Sequence, residues 1–222
     1  MNSAIAAFHE ARSPLLSPET PIVFVVDDDV SVRESLESLV RFAGLQPQAF
    51  ASAHEFLSRP RAFVPSCLIL DVTLPDLSGL DLQERIATER IDMPIIFITG
   101  HGDVPMTVRA MKAGAAEFFT KPYGDEVLLT AIHQAIECSR ATLRREAAIR
   151  LLRDSYASLS PRERQVMALV IRGLLNKQVG AELGISEITV KAHRGKVMRK
   201  MKADSLPDLV NMAARLQLAS TQ

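Results

Sequence analysis

The chain has 222 residues, of which 47% are apolar and 23% charged, and its formal net charge is +0. This balance excludes a chain too polar to bury a core and fits one large or two modest globular domains. No apolar run approaches the ~18 residues of a membrane helix, and no basic start leads into an apolar core, so neither a span nor a signal peptide is expected and the cytoplasm is the expected location.

The neutrality is a sum of two opposite halves. Thr20 to Glu137 holds 9 Lys and Arg against 17 Asp and Glu, whereas Leu151 to Gln222 holds 12 against 6. Such a division suggests an acidic module joined to one that meets a polyanion. The two cysteines, Cys67 and Cys138, fit a reducing compartment, and both are expected to be packing residues rather than a pair.

Residues 1–19 contain Ser13, Pro14, Ser17 and Pro18 without a sustained period and read as a flexible N-terminal arm. Ile22 to Val26 is a continuous apolar run, a buried strand, followed at once by Asp27, Asp28 and Asp29. Val32, Leu36, Leu39, Val40 and Ala43 then recur at helical spacing until Gly44 stops them. A weak strand near Gln46 to Phe50 and a short helix from Ala53 follow. Cys67 to Leu70 is the central apolar run, ended by Asp71, with Pro75 and Gly79 interrupting the chain beyond it. Leu80, Leu82, Ile86 and Ala87 mark a helix, Pro94 to Ile98 a strand, Pro105 to Ala113 a helix, Ala116 to Phe119 a fifth strand, and Val127 to Ile136 the opening of a last helix. Alternation at this spacing predicts a doubly wound α/β unit with a parallel sheet.

Residues 138–157 stay helical in pattern but turn basic, with Arg140, Arg144, Arg145, Arg150 and Arg153, and are expected to form a helical linker. Ser160-Pro161-Arg162-Glu163 is a capping box. Asn176 to Leu183 reads as a second helix ended at Gly184, Ser186 caps a third running to about Met201, and Leu206 to Leu216 is a fourth. Helix, Gly-containing turn and capped helix form the helix-turn-helix pattern.

Four of the five strands end in residues able to act on a phosphoryl group: Asp27 and Asp28, then Asp71, Thr99 and Lys121. Open parallel sheets place their ligands at this edge. Singly, each has a plainer use: Asp29 as a cap, Lys121 as a surface lysine, Thr99 as a strand-end hydroxyl. Together they suit a site where carboxylates are neutralised by Mg²⁺, with Lys121 and Thr99 meeting phosphate oxygens.

These residues resemble the receiver domain of two-component response regulators over about residues 20–137. The matching segments are Asp27-Asp28, Asp71-Val-Thr-Leu-Pro75 with Gly79, Ile98-Thr99-Gly100 and Phe119-Thr-Lys121-Pro122. Gly100-His-Gly-Asp-Val-Pro-Met106 and Met111-Lys-Ala-Gly-Ala115 are similar to the nitrogen-fixation regulators in particular. The resemblance implies a five-stranded flavodoxin-like fold in which Asp71 accepts a phosphoryl group from a sensor histidine kinase. It implies Mg²⁺ (or Mn²⁺) held by Asp28 and Asp71 directly, by Asp27 through water and by the Thr73 carbonyl. It further implies a cis Lys121-Pro122 bond and Phe118 as the aromatic that turns inward when Thr99 moves. Such a protein stores and loses a phosphoryl group but is not a dedicated enzyme.

On the third helix of the C-terminal region, Val190, Val197 and Met201 share one side at ~100° per residue. Ile188, Ala192, Gly195, Lys196 and Arg199 lie opposite, with Lys191 on the flank, a face suited to close approach to a groove and its phosphates. Arg194 falls nearer the buried side, placed either to pair with Glu163 or Glu182 or to read bases. Residues 158–222 resemble the DNA-binding domain of LuxR-type regulators, through Leu159-Ser-Pro-Arg-Glu163, Asn176-Lys-Gln-Val179, Leu183-Gly-Ile-Ser186, Thr189-Val-Lys-Ala-His193 and Lys200-Met201. That implies an all-α unit of four helices binding promoter DNA as a dimer through its last helix, and contact with RNA polymerase. Gly180 departs from the Ala usual in that family, a change expected to cost helix stability. Two other readings exist. A phosphatase of the haloacid-dehalogenase type needs a second carboxylate at the position of Thr73, and a ligand-sensing LuxR-type factor does not need the strand-end residues.

Overall fold

A computed structural model describes residues 20–60, 63–87, 93–100 and 102–218, so the N-terminal arm and His101 lie outside the described residues. The chain divides into two compact units at Leu143/Arg144. Among the described residues of the first, five strands form one parallel sheet in the order β2-β1-β3-β4-β5: β1 (Ile22–Val26), β2 (Gln46–Phe50), β3 (Ser66–Asp71), β4 (Ile95–Thr99) and β5 (Glu117–Thr120). The helices are α1 (Val30–Phe42), α2 (Ala53–Leu57), α3 (Gly79–Ile86), α4 (Val104–Lys112) and α5 (Asp125–Ala157). The expected elements appear within a residue or two, and α5 continues through the residues expected as linker.

Alternation along the strands divides the core into two layers. Val23, Val25, Cys67, Ile69, Ile96 and Ile98 face α1 and α5, where Leu36, Val40, Leu128 and Ile132 meet them. Phe24, Val26, Leu68, Leu70 and Phe97 face the opposite side with Phe56, Leu82 and Ile86. β3 is buried along its whole length, as its unbroken apolar run requires. Its start is secured by Ser139 of α5, whose buried Oγ accepts the Ser66 N–H at 3.0 Å.

Register delivers the polar residues to one edge. Val26 pairs with Leu70, so Asp27 and Asp71 leave the sheet side by side. Asp71 pairs with Ile98 and Thr99 with Thr120, which brings Thr99 and Lys121 to the same edge. The order reverses between β1 and β3, the switch point where such sheets bind ligands.

The second unit contains the end of α5 and then α6 (Pro161–Ile171), α7 (Asn176–Leu183), α8 (Glu187–Met201) and α9 (Leu206–Arg215). Leu152, Leu159, Val166, Val170, Val179, Val190, Val197 and Leu209 form its core. Ser160 and Glu163 close the expected capping box, and Ser186 and Ser205 cap α8 and α9. Gly184 ends α7 at φ +66°, a left-handed conformation that favours glycine.

Gly180 is more than a tolerated defect of α7. A Cβ there would lie 2.7 Å from the Ile185 carbonyl oxygen, so the missing side chain lets the turn fold back onto the helix. Cys67 is a packing residue, its thiol pushed up to about 12 by burial. Cys138 is not: it lies exposed on α5, and neither cysteine is paired.

Candidate functional site

The β1–α1 turn is held in place by its own hydrogen bonds. Asp27 Oδ1 accepts the Asp29 N–H at 2.9 Å, and Asp29 Oδ1 accepts the Ser31 N–H at 2.8 Å as the cap of α1. Arg33 Nη1 donates to the Asp27 carbonyl at 2.6 Å, a tie from the second turn of α1 that spacing alone did not show. Asp27 is fully buried, Asp28 exposed and Asp71 buried. Carboxylate oxygens of these three lie within 4.8 Å of one another.

Lys121 Nζ lies 2.8 Å from Asp27 Oδ2 and 3.1 Å from Asp71 Oδ2. Burial, the largest influence on Asp27, pushes its carboxyl above the ordinary value, helped by the nearby Asp71 and opposed by Lys121 and the Asp29 N–H. Burial acts to lower Lys121, but its hydrogen bonds to Asp27 and Asp71 prevail and raise it. One ammonium among three carboxylates leaves the cluster short of positive charge. A hard divalent cation fits that deficit and that all-oxygen donor set.

Thr73 N–H donates to Asp71 Oδ1 at 2.9 Å, which orients the carboxylate and draws the following loop over it. Gly79 closes the loop: its N–H donates to the Val72 carbonyl at 2.9 Å, and a Cβ there would stand 2.3 Å from the Asp71 carbonyl oxygen. Thr99 is buried at the end of β4. Phe118 is half-buried, its ring 6.0 Å from that of Phe97. A Cβ on Gly102 would fall 3.2 Å from Thr99 Cγ2, 3.1 Å from Phe118 Cε1 and 2.9 Å from Thr120 Cγ2, so this backbone lies against all three side chains. Lys121-Pro122 is a cis peptide.

The structure therefore brings Asp27, Asp28, Asp71 and Lys121 together directly, and sets Thr99 and Phe118 each beside the Gly102 backbone. Arg33 belongs to the surroundings without having been singled out from sequence, whereas Gly79 and Gly102 stand in motif segments that did not show these contacts. Their roles rest on tertiary approach, which periodicity does not encode.

On α8 of the second unit, Val190, Val197 and Met201 are buried. Ile188, Lys191, Ala192, Gly195, Lys196 and Arg199 are all exposed. Ile188 is 80% exposed, which excludes a core role. Lys191 pairs with Glu187 at 3.3 Å. Arg194 pairs with neither Glu163 nor Glu182; its Nη1 donates to Asn176 Oδ1 at 3.1 Å, tying α8 to α7. Glu163 instead meets Lys200, and with Lys196 and Arg199 they line a cleft of about 380 Å³.

Residues 23–133 match the family model "Response regulator receiver domain", and residues 157–213 match "Bacterial regulatory proteins, luxR family". Nodulation protein W of Bradyrhizobium diazoefficiens is 53% identical over 199 residues, covering 90% of this chain and 88% of that one. The transcriptional regulatory protein FixJ of Rhizobium meliloti is 44% identical, covering 86% and 94%. Among solved structures, the response regulator StyR is 46% identical with a TM-score of 0.79, covering 88% of this chain and 99% of that one. A receiver domain followed by a LuxR-type DNA-binding domain, shared along nearly the full length of these relatives, places this chain in the family of two-component response regulators that regulate transcription.

Proposed function

We propose that Asp71 is phosphorylated by a sensor histidine kinase and that this event controls dimerisation and sequence-specific promoter binding. The supporting observation is Asp71 itself: buried at the end of β3, 3.1 Å from Lys121 Nζ and beside two further carboxylates. In the transfer, an Asp71 carboxylate oxygen forms the new O–P bond as the P–N bond to the donor imidazole breaks. Lys121 is placed to move its ammonium from the carboxylate to a phosphoryl oxygen, and the Thr99 hydroxyl to accompany it. Asp27, Asp28, Asp71 and the Thr73 carbonyl would hold Mg²⁺ or Mn²⁺, which when bound offsets the charge gathered between acceptor and phosphoryl group.

The stored phosphoryl group turns over no metabolite, so the protein acts as a switch rather than an enzyme. Dimerisation is supported by Val104, Val108 and Met111 of α4, which are 76%, 44% and 43% exposed and recur at i, i+4, i+7 on one helix face. Ile188, Lys191, Ala192, Gly195, Lys196 and Arg199 would meet the DNA groove and its phosphates, with RNA polymerase as the downstream partner. Among the described residues no helix is long and apolar enough to cross a membrane. The test is Asp71→Asn treated with acetyl phosphate and Mg²⁺. The wild type should be labelled and bind DNA more tightly, and the variant should do neither. Equal DNA affinity of the two with donor present overturns the switch.

A further inference from the structure

The loop after Asp71 is fastened to α2 by one side chain. Asp76 Oδ2 accepts the His54 N–H at 2.9 Å and lies 2.6 Å from His54 Nδ1, and Asp76 Oδ1 accepts the Ala53 N–H at 3.3 Å. The helix has its own cap as well, Ser52 Oγ accepting the Glu55 N–H at 3.2 Å and Glu55 Oε2 the Ala51 N–H at 2.9 Å. Asp76 takes the two first-turn donors which that arrangement leaves open. Burial acts to raise the Asp76 carboxyl, but the hydrogen bonds from His54 and Ala53 overcome it and hold it at about 2. The contacts are therefore made by a carboxylate and are charge-assisted.

α2 is firmly anchored. Ala53 and Phe56 are fully buried, and the Phe56 ring packs edge-on to Phe24 and Phe50 at centroid distances of 5.6 Å and 5.5 Å. The loop reaches the same core through Leu74 and the half-buried Leu77, while Thr73, Pro75 and Asp76 itself are exposed. Yet this loop carries the Thr73 carbonyl, and the Thr73 N–H orients Asp71.

We propose that Asp76 is a positioning residue for the cation site: by fastening the β3–α3 loop to the first turn of α2, it sets the Thr73 carbonyl and N–H against the carboxylates of Asp27, Asp28 and Asp71. This rests on the reading of that cluster as a divalent-cation site. His54 offers its main-chain N–H for the purpose. Its ring adds a contact of 2.6 Å, but at 72% exposure solvent discounts that contact against the main-chain donors.

Calorimetric titration of the full chain with Mg²⁺ tests the assignment on the wild type, Asp76→Ala, Asp76→Asn and His54→Ala. Asp76→Ala should weaken Mg²⁺ binding by about 10-fold, the low end for residues that orient metal ligands. Asp76→Asn keeps a carbonyl oxygen for one N–H and should fall between, and His54→Ala should match the wild type. Acetyl phosphate labelling should show the same division, with more Mg²⁺ needed for Asp76→Ala but an unchanged rate at saturation. Wild-type Mg²⁺ affinity in Asp76→Ala overturns the proposal, as does a lowered saturating rate with unchanged affinity. If the alanine variant does not fold, Asp76→Asn decides: weaker binding supports the assignment and unchanged binding overturns it. A wild type that takes up no Mg²⁺ overturns the cation-site reading and the assignment with it, a result seen in all four proteins rather than in one.

Discussion

The ammonium of Lys200 lies 2.7 Å from Glu163 Oε2, joining the last turn of α8 to the first turn of α6. The same carboxylate oxygen accepts the Ser160 N–H at 2.8 Å, and Lys200 also donates to the Ser158 carbonyl at 3.0 Å. The helix proposed to face DNA is thus referenced to the capping box of its domain by one nearly buried carboxylate. Lys200→Ala should destabilise this unit by about 1–3 kcal/mol, since it leaves a nearly buried carboxylate with the Ser160 N–H but without the ammonium that met its charge. Amide exchange in α6 and α8 of the full chain reports it.

The Lys200 hydrogen bond, foremost, holds the Glu163 carboxyl down at about 2 against an ordinary 4.5. A depressed carboxyl stabilises the fold above its unfolded value and loses that contribution as pH falls through the folded one. The stability gap between wild type and Glu163→Gln should therefore be full above about pH 4.5 and shrink to nothing near pH 2. Urea unfolding of both proteins across that range gives the measurement.

Three carboxylate oxygens within 4.8 Å of one another repel in the absence of a cation. Asp28→Asn should raise the stability of the cation-free receiver by about 1 kcal/mol, the scale of one exposed like-charge contact. It should also abolish the added stability that Mg²⁺ gives the wild type. Chemical denaturation with Mg²⁺ and with chelator separates the two effects.

Nothing lies within 4 Å of a Cβ built on Gly195, so the position has room for a side chain in the protein alone. Gly195→Ala should stabilise α8 by about 1 kcal/mol yet weaken promoter binding, because the added methyl meets the DNA backbone or base edges. Lys196→Ala and Arg199→Ala should each reduce the salt slope of binding by about 0.9, one phosphate contact apiece. Titrations at several salt concentrations distinguish a lost phosphate contact from a lost base contact.

Val108 sits at the centre of the exposed α4 stripe. Val108→Glu should leave Asp71 labelling intact and keep the phosphorylated protein monomeric, as sedimentation would show.

Periodicity and turn residues suffice to place each strand, and Asp27, Asp71, Thr99 and Lys121 could be named from lying at or just past the strand ends. Strand order was not legible, because parallel pairing joins runs far apart in the chain. Helical spacing gave the buried side of α8 and its exposed face, but not the partner of Glu163: spacing offered Arg194 as one candidate, and the partner is Lys200. Gly180 read as a cost because a sequence shows the missing methyl and not the Ile185 carbonyl occupying its place. Asp76 lay beyond reach for the same reason, its acceptor role being completed by residues 22 and 23 positions away.

The turn between α7 and α8 is set by backbone meeting backbone at Gly180 and Ile185. The angle at which α8 is offered to its target therefore owes nothing to the side chains that would read it. Ile188, Lys191, Ala192, Gly195, Lys196 and Arg199 are absent from the core that supports the helix. A regulator built this way can be given a new vocabulary of DNA sequences by rewriting one surface, with no renegotiation of its fold.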